Sequence, residues 1–139
     1  MIQIIAGLKG KGKTKYLIQK ANEEVKTASG NVVYLDKNNK HMYELSNRVR
    51  LIEVPEYGIE SSDMFVGFIA GIASQDHDLD KVYLDSFLTI AKVGEGALED
   101  VMTKLQKISD KFGVDFVISA SMDKDQMPEA VQGLVSVAL

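Results

Sequence analysis

The stretch Gly7-Leu8-Lys9-Gly10-Lys11-Gly12-Lys13-Thr14 decides how the rest of the chain is read. It matches the pattern G-x-x-x-x-G-K-[ST] in full. The β-branched run Ile2 to Ala6 before it predicts a strand, and the apolar positions Leu17, Ile18, Ala21, Val25 and Ala28 after it recur at helical spacing. A glycine-bearing turn between strand and helix lets the backbone fold so that its N–H groups converge on an anion, and the new helix adds the positive end of its dipole. Phosphate oxygens are the ligands such a turn suits. Lys13 would then bridge terminal phosphates, and Thr14 would place its hydroxyl on Mg²⁺. Lys9, Lys11 and Lys15 make the turn unusually basic, which favours a polyphosphate. Alternate lysines on a solvated turn are the plainer reading of those three.

Composition narrows what such a turn can serve. At 139 residues the chain is expected to form one domain, residues 1–139, with one substantial core. A 45% hydrophobic and 26% charged balance is that of an ordinary globular protein, which removes disordered, collagenous and membrane-spanning classes. The net charge of -4 gives the whole molecule no attraction for nucleic acid. Without cysteine there is no disulfide, thiolate metal site or Cys nucleophile, which fits a reducing compartment. The longest apolar run, Met64 to Ala73, is half of what a bilayer needs, and no basic region precedes Met1-Ile2-Gln3-Ile4 as a signal peptide would require. A cytoplasmic address with no membrane partner is the expectation.

Further along, strands and helices take turns. Gly30 stands where a helix C-cap belongs. Val32 to Leu35 is nearly all apolar, as a strand covered on both faces should be, and ends at Asp36 before the turn Lys37-Asn38-Asn39-Lys40. A second strand is expected over Arg48 to Val54, stopped by Pro55. Ser61-Ser62-Asp63 offers an N-cap to Met64–Ala73, a helix apolar all round and so expected to be buried, with Gly67 and Gly71 allowing close packing on a sheet. Lys81 to Asp85 reads as a central strand, Ala97 to Phe112 as the clearest amphipathic helix, Val114 to Ser119 as another strand, and Leu134 to Leu139 as a last one after a short helix at Pro128. Phe65, Phe68, Tyr83 and Phe112 fall at core spacing. This alternation predicts an α/β protein, a mostly parallel sheet between two helical layers. Ligands of such sheets bind at the carboxyl ends of the strands, here Gly7–Thr14, Asp36–Lys40, Asp85–Thr89 and Ser119–Met122.

A metal-bound triphosphate also needs a carboxylate at the end of a buried strand, and Val82-Tyr83-Leu84-Asp85 supplies one, with Asp85 the second metal candidate beside Thr14. The two histidines lie in expected loops. His77, within Asp76-His77-Asp78-Leu79-Asp80, reads as part of a solvated acidic loop.

Together the loop motif, the strand ending at Asp36 and the Leu84-Asp85-Ser86 triplet resemble the RecA and KaiC branch of the P-loop nucleoside triphosphatases, and the likeness covers most of the chain. Gly7–Thr14, Arg48-Val49-Arg50-Leu51-Ile52, Gly67-Phe68-Ile69-Ala70-Gly71 and Asp85-Ser86 are similar to a family of short bacterial P-loop proteins, some labelled twitching-motility ATPases. True twitching-motility ATPases are far longer and carry acidic and histidine boxes that this chain lacks. The resemblance implies a P-loop fold that takes up Mg²⁺ and a purine nucleoside triphosphate, ATP foremost, on Gly7, Leu8, Lys9, Gly10, Lys11, Gly12, Lys13, Thr14 and Lys15. The RecA pattern also places a catalytic glutamate two residues beyond the Asp that ends the second strand. That position is Asn38, and an amide cannot take a proton. Asp36, Glu44 and Glu95 remain as carboxylates for activating water, with Asp36 and Lys13 the candidates carried forward as catalytic.

Other phosphate-loop classes fit less well. A kinase lid needs arginines, and only Arg48 and Arg50 exist, both beside an expected strand. The guanine-reading Asn-Lys-x-Asp is incomplete at Asn39-Lys40-His41-Met42, and Leu8 stands where partitioning ATPases carry an extra Lys. Three readings follow. One is a slow ATPase completed by a second copy of the chain or by a protein partner. Another is a module whose loops after Asp36 and Asp85 respond to the nucleotide and alter a protein contact. The third is a small-molecule kinase, weakened by the missing lid.

Overall fold

A computed structural model describes residues 1–139. Six strands form one sheet: β1 (Ile2–Ala6), β2 (Asn31–Asp36), β3 (Val49–Glu53), β4 (Leu79–Leu84), β5 (Asp115–Ala120) and β6 (Val135–Ala138). Every pairing is parallel, in the order β3-β2-β4-β5-β1-β6. Five helices connect them: α1 (Lys13–Thr27), α2 (Ser62–Gln75), α3 (Phe87–Ile90), α4 (Leu98–Phe112) and α5 (Glu129–Gln132). The expected α/β architecture is therefore present, with the sheet parallel throughout.

Strand order explains the layering. A right-handed crossover fixes the face on which a connecting helix lies once the direction of travel across the sheet is set. The chain moves one way from β1 to β2 and the opposite way from β3 to β4, β4 to β5 and β5 to β6. Helix α1 accordingly packs alone on one face, with Leu17, Ile18, Ala21 and Val25 against Ile5, Val32, Tyr34, Tyr83 and Val117. Helices α2 and α4 lie together on the other face over Ile4, Val33, Leu35, Val82, Leu84 and Ile118. Alternation along each strand assigns the side chains: Val33 and Leu35 go to one core, Val32 and Tyr34 to the other. Burying each of these large side chains contributes roughly 1.5–3 kcal/mol.

Three local expectations are corrected. The first concerns α2, which is capped as foreseen, Ser61 Oγ accepting from the Met64 N–H at 3.1 Å. It is not buried all round: Phe65, Ile69 and Ala73 face the core, whereas Met64, Gly67 and Gly71 are exposed. Nothing lies within 4 Å of a Cβ built at Gly67 or Gly71, so neither serves close packing. The stripe Phe65, Ile69 and Ala73 docks the helix, with Val66, Phe68, Ala70 and Ile72 packed partly buried beside it and the remaining side left to solvent. The second correction is Gly30, which does not cap α1. That helix ends at Thr27, with the Ala28 N–H donating to the Glu24 carbonyl at 2.8 Å. Gly30 instead lets two backbones meet, since a Cβ there would fall 2.1 Å from the Asp78 carbonyl oxygen. The third is the segment after Asp85, expected as loop, where α3 forms and seats Phe87 edge-on against Phe65 at 6.0 Å.

Boundaries elsewhere shift by one or two residues. The strand expected to reach Val54 ends at Glu53, and Pro55 sits in a 3-10 turn over Val54–Tyr57. Tyr83 and Phe65 are core as expected, while Phe68 and Phe112 are half-buried at its margin. No helix is long and apolar enough to cross a membrane.

Candidate functional site

All carboxyl ends of a parallel sheet lie along one edge, and Lys13, Thr14, Asp85 and Ser119 of the sequence-marked segments gather there. Between β1 and α1 the loop turns through left-handed backbone at Gly10 (φ 89°) and Gly12 (φ 92°), conformations that side-chain-bearing residues rarely adopt. Helix α1 then starts with no side-chain cap and no acidic residue in its first turn. Its leading amides are open to an anion.

Lys13 is only 7% exposed, and its Nζ donates to the Leu8 carbonyl at 3.0 Å, holding the ammonium across the mouth of the loop. Burial pushes its pKa down and the nearby Asp85 carboxylate opposes that shift. Thr14 Oγ1 donates to Asp85 Oδ1 at 3.2 Å, joining the first turn of α1 to the end of β4.

Asp85 is 2% exposed and unusually well furnished. Oδ1 also accepts from Ser119 Oγ at 2.7 Å and from the Ser86 N–H at 2.8 Å, while Oδ2 accepts from the Tyr34 hydroxyl at 2.6 Å. The Ser86 N–H is shared with Ser119 Oγ at 3.0 Å, and Ser86 itself is held in left-handed backbone at φ 54°. Sheet geometry accounts for the convergence. Strand β5 lies between β1 and β4 in the sheet, and the side chains of Tyr34, Tyr83 and Val117 project into the α1 core. Ser119 and Asp85, two residues beyond Val117 and Tyr83, project the same way, toward Thr14. Burial and the neighbouring carboxylates push the Tyr34 hydroxyl pKa strongly up, so it keeps its proton and donates.

An open cleft of about 600 Å³ runs beside this cluster, lined by Lys9, Gly10, Gly12, Lys13, Thr14, Lys15, Lys37, Asp85, Ser86, Leu88, Thr89, Ser119 and Ser121. Of the loop residues singled out in the sequence, Gly7, Leu8 and Lys11 do not line it. The Gly7 N–H is spent on the Met122 carbonyl at 3.1 Å, and Leu8 contributes its carbonyl to Lys13. Asp36 lies next to the cluster rather than in the cleft. It is 3% exposed, Oδ1 accepts from the Lys37 N–H at 2.7 Å, and burial together with the Asp85 charge raises its carboxyl to about 6. Asn38 serves its own turn, accepting from the Lys40 N–H at 3.0 Å. Glu44 pairs with His41 at 2.5 Å, and Glu95 is exposed on the loop before α4.

Asp76 and Asp80 are structural: Asp76 accepts from the Asn31 side chain at 2.9 Å and Asp80 from the Gly30 N–H at 2.8 Å. No cluster of His, Cys, Asp and Glu elsewhere could hold a metal. At the cleft, however, the Thr14 hydroxyl and Asp85 carboxylate form an oxygen-only pair of the kind that Mg²⁺ takes together with phosphate oxygens and water. The residues present fit that ion.

Sequence reasoning missed Tyr34 as a member of this site, whereas Lys37 and Ser86 fall within the strand-end segments Asp36–Lys40 and Asp85–Thr89 that it marked. Tyr34 left one signal, a phenol in an otherwise apolar strand whose hydroxyl needs a partner once buried.

A loop cradle at a strand-to-helix turn, a buried strand-end carboxylate joined to its Thr and an intervening strand define the P-loop NTPase fold. No family model matches the sequence, and no curated protein is similar to it in sequence. Solved structures are similar in fold. The flagellar accessory protein FlaH from Methanocaldococcus jannaschii superposes with a TM-score of 0.60 at 14% identity, over 96% of this chain and 65% of that one. PCH-2 from C. elegans superposes with a TM-score of 0.57 at 13% identity, over 98% of this chain and 34% of that one. The chain thus spans less than two thirds of the length of either.

Proposed function

We propose that residues 1–139 act as one nucleotide-binding domain that takes up a nucleoside triphosphate with Mg²⁺, ATP being the working ligand. The observation that carries this reading is the contact of Thr14 Oγ1 with Asp85 Oδ1 at 3.2 Å beside an uncapped helix N-terminus. It brings a hydroxyl, a carboxylate and a glycine loop together at one place. Lys9, Lys13 and Lys15 would meet the phosphates, and the open amides of α1 would donate to their oxygens. Bound Mg²⁺ would neutralise charge on the phosphates. Thr14 and Asp85 would hold it, and the buried Lys13 would exchange its Leu8 carbonyl for phosphate oxygen.

Hydrolysis in this reading is slow or depends on a second copy or a protein partner. The only carboxyl raised toward neutrality, Asp36, is outside the cleft, and Asn38 cannot act as a base. A nucleotide-responsive binding module is the second reading, favoured by one observation. Lys37 and the Ser86–Thr89 turn both border the cleft, so the segments after β2 and β4 are positioned to report on its contents.

The test is incubation with Mg²⁺ and ATP, followed by chromatography of free and bound nucleotide, beside Lys13→Ala. Retained nucleotide that disappears in the variant is expected. Accumulation of ADP that requires Lys13 selects the ATPase reading, and intact bound ATP selects the module. Absence of any Lys13-dependent nucleotide binding overturns both.

A further inference from the structure

We propose that Tyr34 is a positioning residue that confines Asp85 to a single metal-facing oxygen and so biases the site toward Mg²⁺ over Ca²⁺. This rests on the nucleotide-binding reading above and adds a residue that neither the loop motif nor strand-end carboxylates identify. The two oxygens of Asp85 have different surroundings. Oδ1 faces Thr14, the side from which a metal and phosphates would approach, and is steadied there by Ser119 Oγ and the Ser86 N–H. Oδ2 points back into the α1 core and is taken by the Tyr34 hydroxyl at 2.6 Å, in a fully buried hydrogen bond.

That arrangement fixes the carboxylate plane from both ends. Tyr34 cannot swing away, because its ring is 0% exposed and stacks on Tyr83 with centroids 6.1 Å apart. A carboxylate so held can offer one oxygen to a cation, directly or through water, and cannot rotate to offer two. The distinction matters between these ions. Ca²⁺ takes six to eight oxygens and commonly two from one carboxylate, whereas Mg²⁺ keeps a tight octahedron with single oxygens and waters. Groups behind a metal ligand typically change metal affinity by about 10- to 100-fold.

The experiment is calorimetric titration of the full chain with ATP in Mg²⁺ and, separately, in Ca²⁺, for the wild type, Tyr34→Phe and Ser119→Ala. The phenyl ring of Tyr34→Phe keeps the stack on Tyr83 while removing only the hydroxyl, and circular dichroism reports whether the fold survives. The wild type should bind ATP more tightly with Mg²⁺ than with Ca²⁺. Tyr34→Phe should shrink that preference about tenfold, by weakening the Mg²⁺ arm and sparing or strengthening the Ca²⁺ arm. Ser119→Ala, which loosens Oδ1 without freeing Oδ2, should weaken both arms alike. An unchanged ratio in folded Tyr34→Phe overturns the proposal, as does the same change of ratio in both variants. Should Tyr34→Phe not fold, the wild type decides: equal affinity with the two ions overturns the proposal, and a clear Mg²⁺ preference supports it. A wild-type chain that binds ATP with neither ion overturns the nucleotide-binding reading itself, a result distinct from binding without ion preference.

Discussion

Ser119, on β5, and Asp85, the first residue after the neighbouring parallel strand β4, share a buried hydrogen bond of 2.7 Å from Ser119 Oγ to Asp85 Oδ1, and the same Oγ accepts the Ser86 N–H at 3.0 Å. One hydroxyl thereby ties the end of β5 to the turn that leaves β4. Ser119→Ala removes a donor to a buried carboxylate and one acceptor of a backbone amide. The expected cost is about 1–3 kcal/mol in urea unfolding, with an unchanged denaturant slope. A loss below about 0.5 kcal/mol would mean that Ser86 and Thr14 satisfy Asp85 unaided.

Lys13 presents the opposite balance. Its ammonium is buried with one carbonyl partner, and burial opposes its charged state. Lys13→Ala should therefore leave thermal stability within about 1 kcal/mol of the wild type or raise it. Triphosphate affinity measured by calorimetry should fall by about 10- to 100-fold, the worth of a hydrogen bond to a charged group. A variant that unfolds would show that the Leu8 contact holds the loop together.

Asp36 should make the nucleotide-free protein less stable as the solution becomes neutral. Its carboxyl is raised from 3.8 to about 6 by burial and by Asp85, so the folded chain binds that proton more tightly than the unfolded chain does. The corresponding stabilisation is fully present below about pH 4 and is lost as pH rises through about 6, for a total on the order of 3 kcal/mol. Asp36→Asn keeps an oxygen for the Lys37 N–H and cannot ionise. Thermal unfolding from pH 4 to 7.5 should show a flatter profile for the variant and greater stability than wild type at pH 7. Parallel profiles would refute the assignment.

Glycine substitutions should have opposite signs at two positions. In Gly30→Ala the new Cβ meets the Asp78 carbonyl oxygen at 2.1 Å and the Asp80 carboxylate carbon at 2.8 Å, so backbone must move, at a cost of about 3 kcal/mol. Gly67→Ala adds its methyl to open space on an exposed helical turn and should stabilise by about 0.5–1 kcal/mol. Unfolding midpoints of the two variants on either side of the wild type are the expected result. A destabilised Gly67→Ala would reveal a contact on the outer face of α2.

Much of this was legible in the residues themselves. The order of strands and helices, the turn at Gly7–Thr14 and the strand ending beside Asp85 all follow from periodicity and punctuation over a few residues. The errors came where local pattern is silent about neighbours. Met64–Ala73 reads as a helix to be buried, yet how many of its faces are covered depends on where α4 lies. Gly30 reads as a cap, yet its role is set by the Asp78 backbone, 48 positions further along the chain.

The sequence alone determined that a glycine-bearing, lysine-rich turn joins a strand to a helix, because φ freedom and hydrophobic spacing are properties of adjacent residues. Tertiary structure decided which side chains meet there. Thr14, Tyr34 and Ser119 reach Asp85 across 71, 51 and 34 positions of sequence. Those contacts depend on strand order, on parallel register and on which face each alternate side chain takes, and a shift of one residue in any strand would turn its donor into the opposite core.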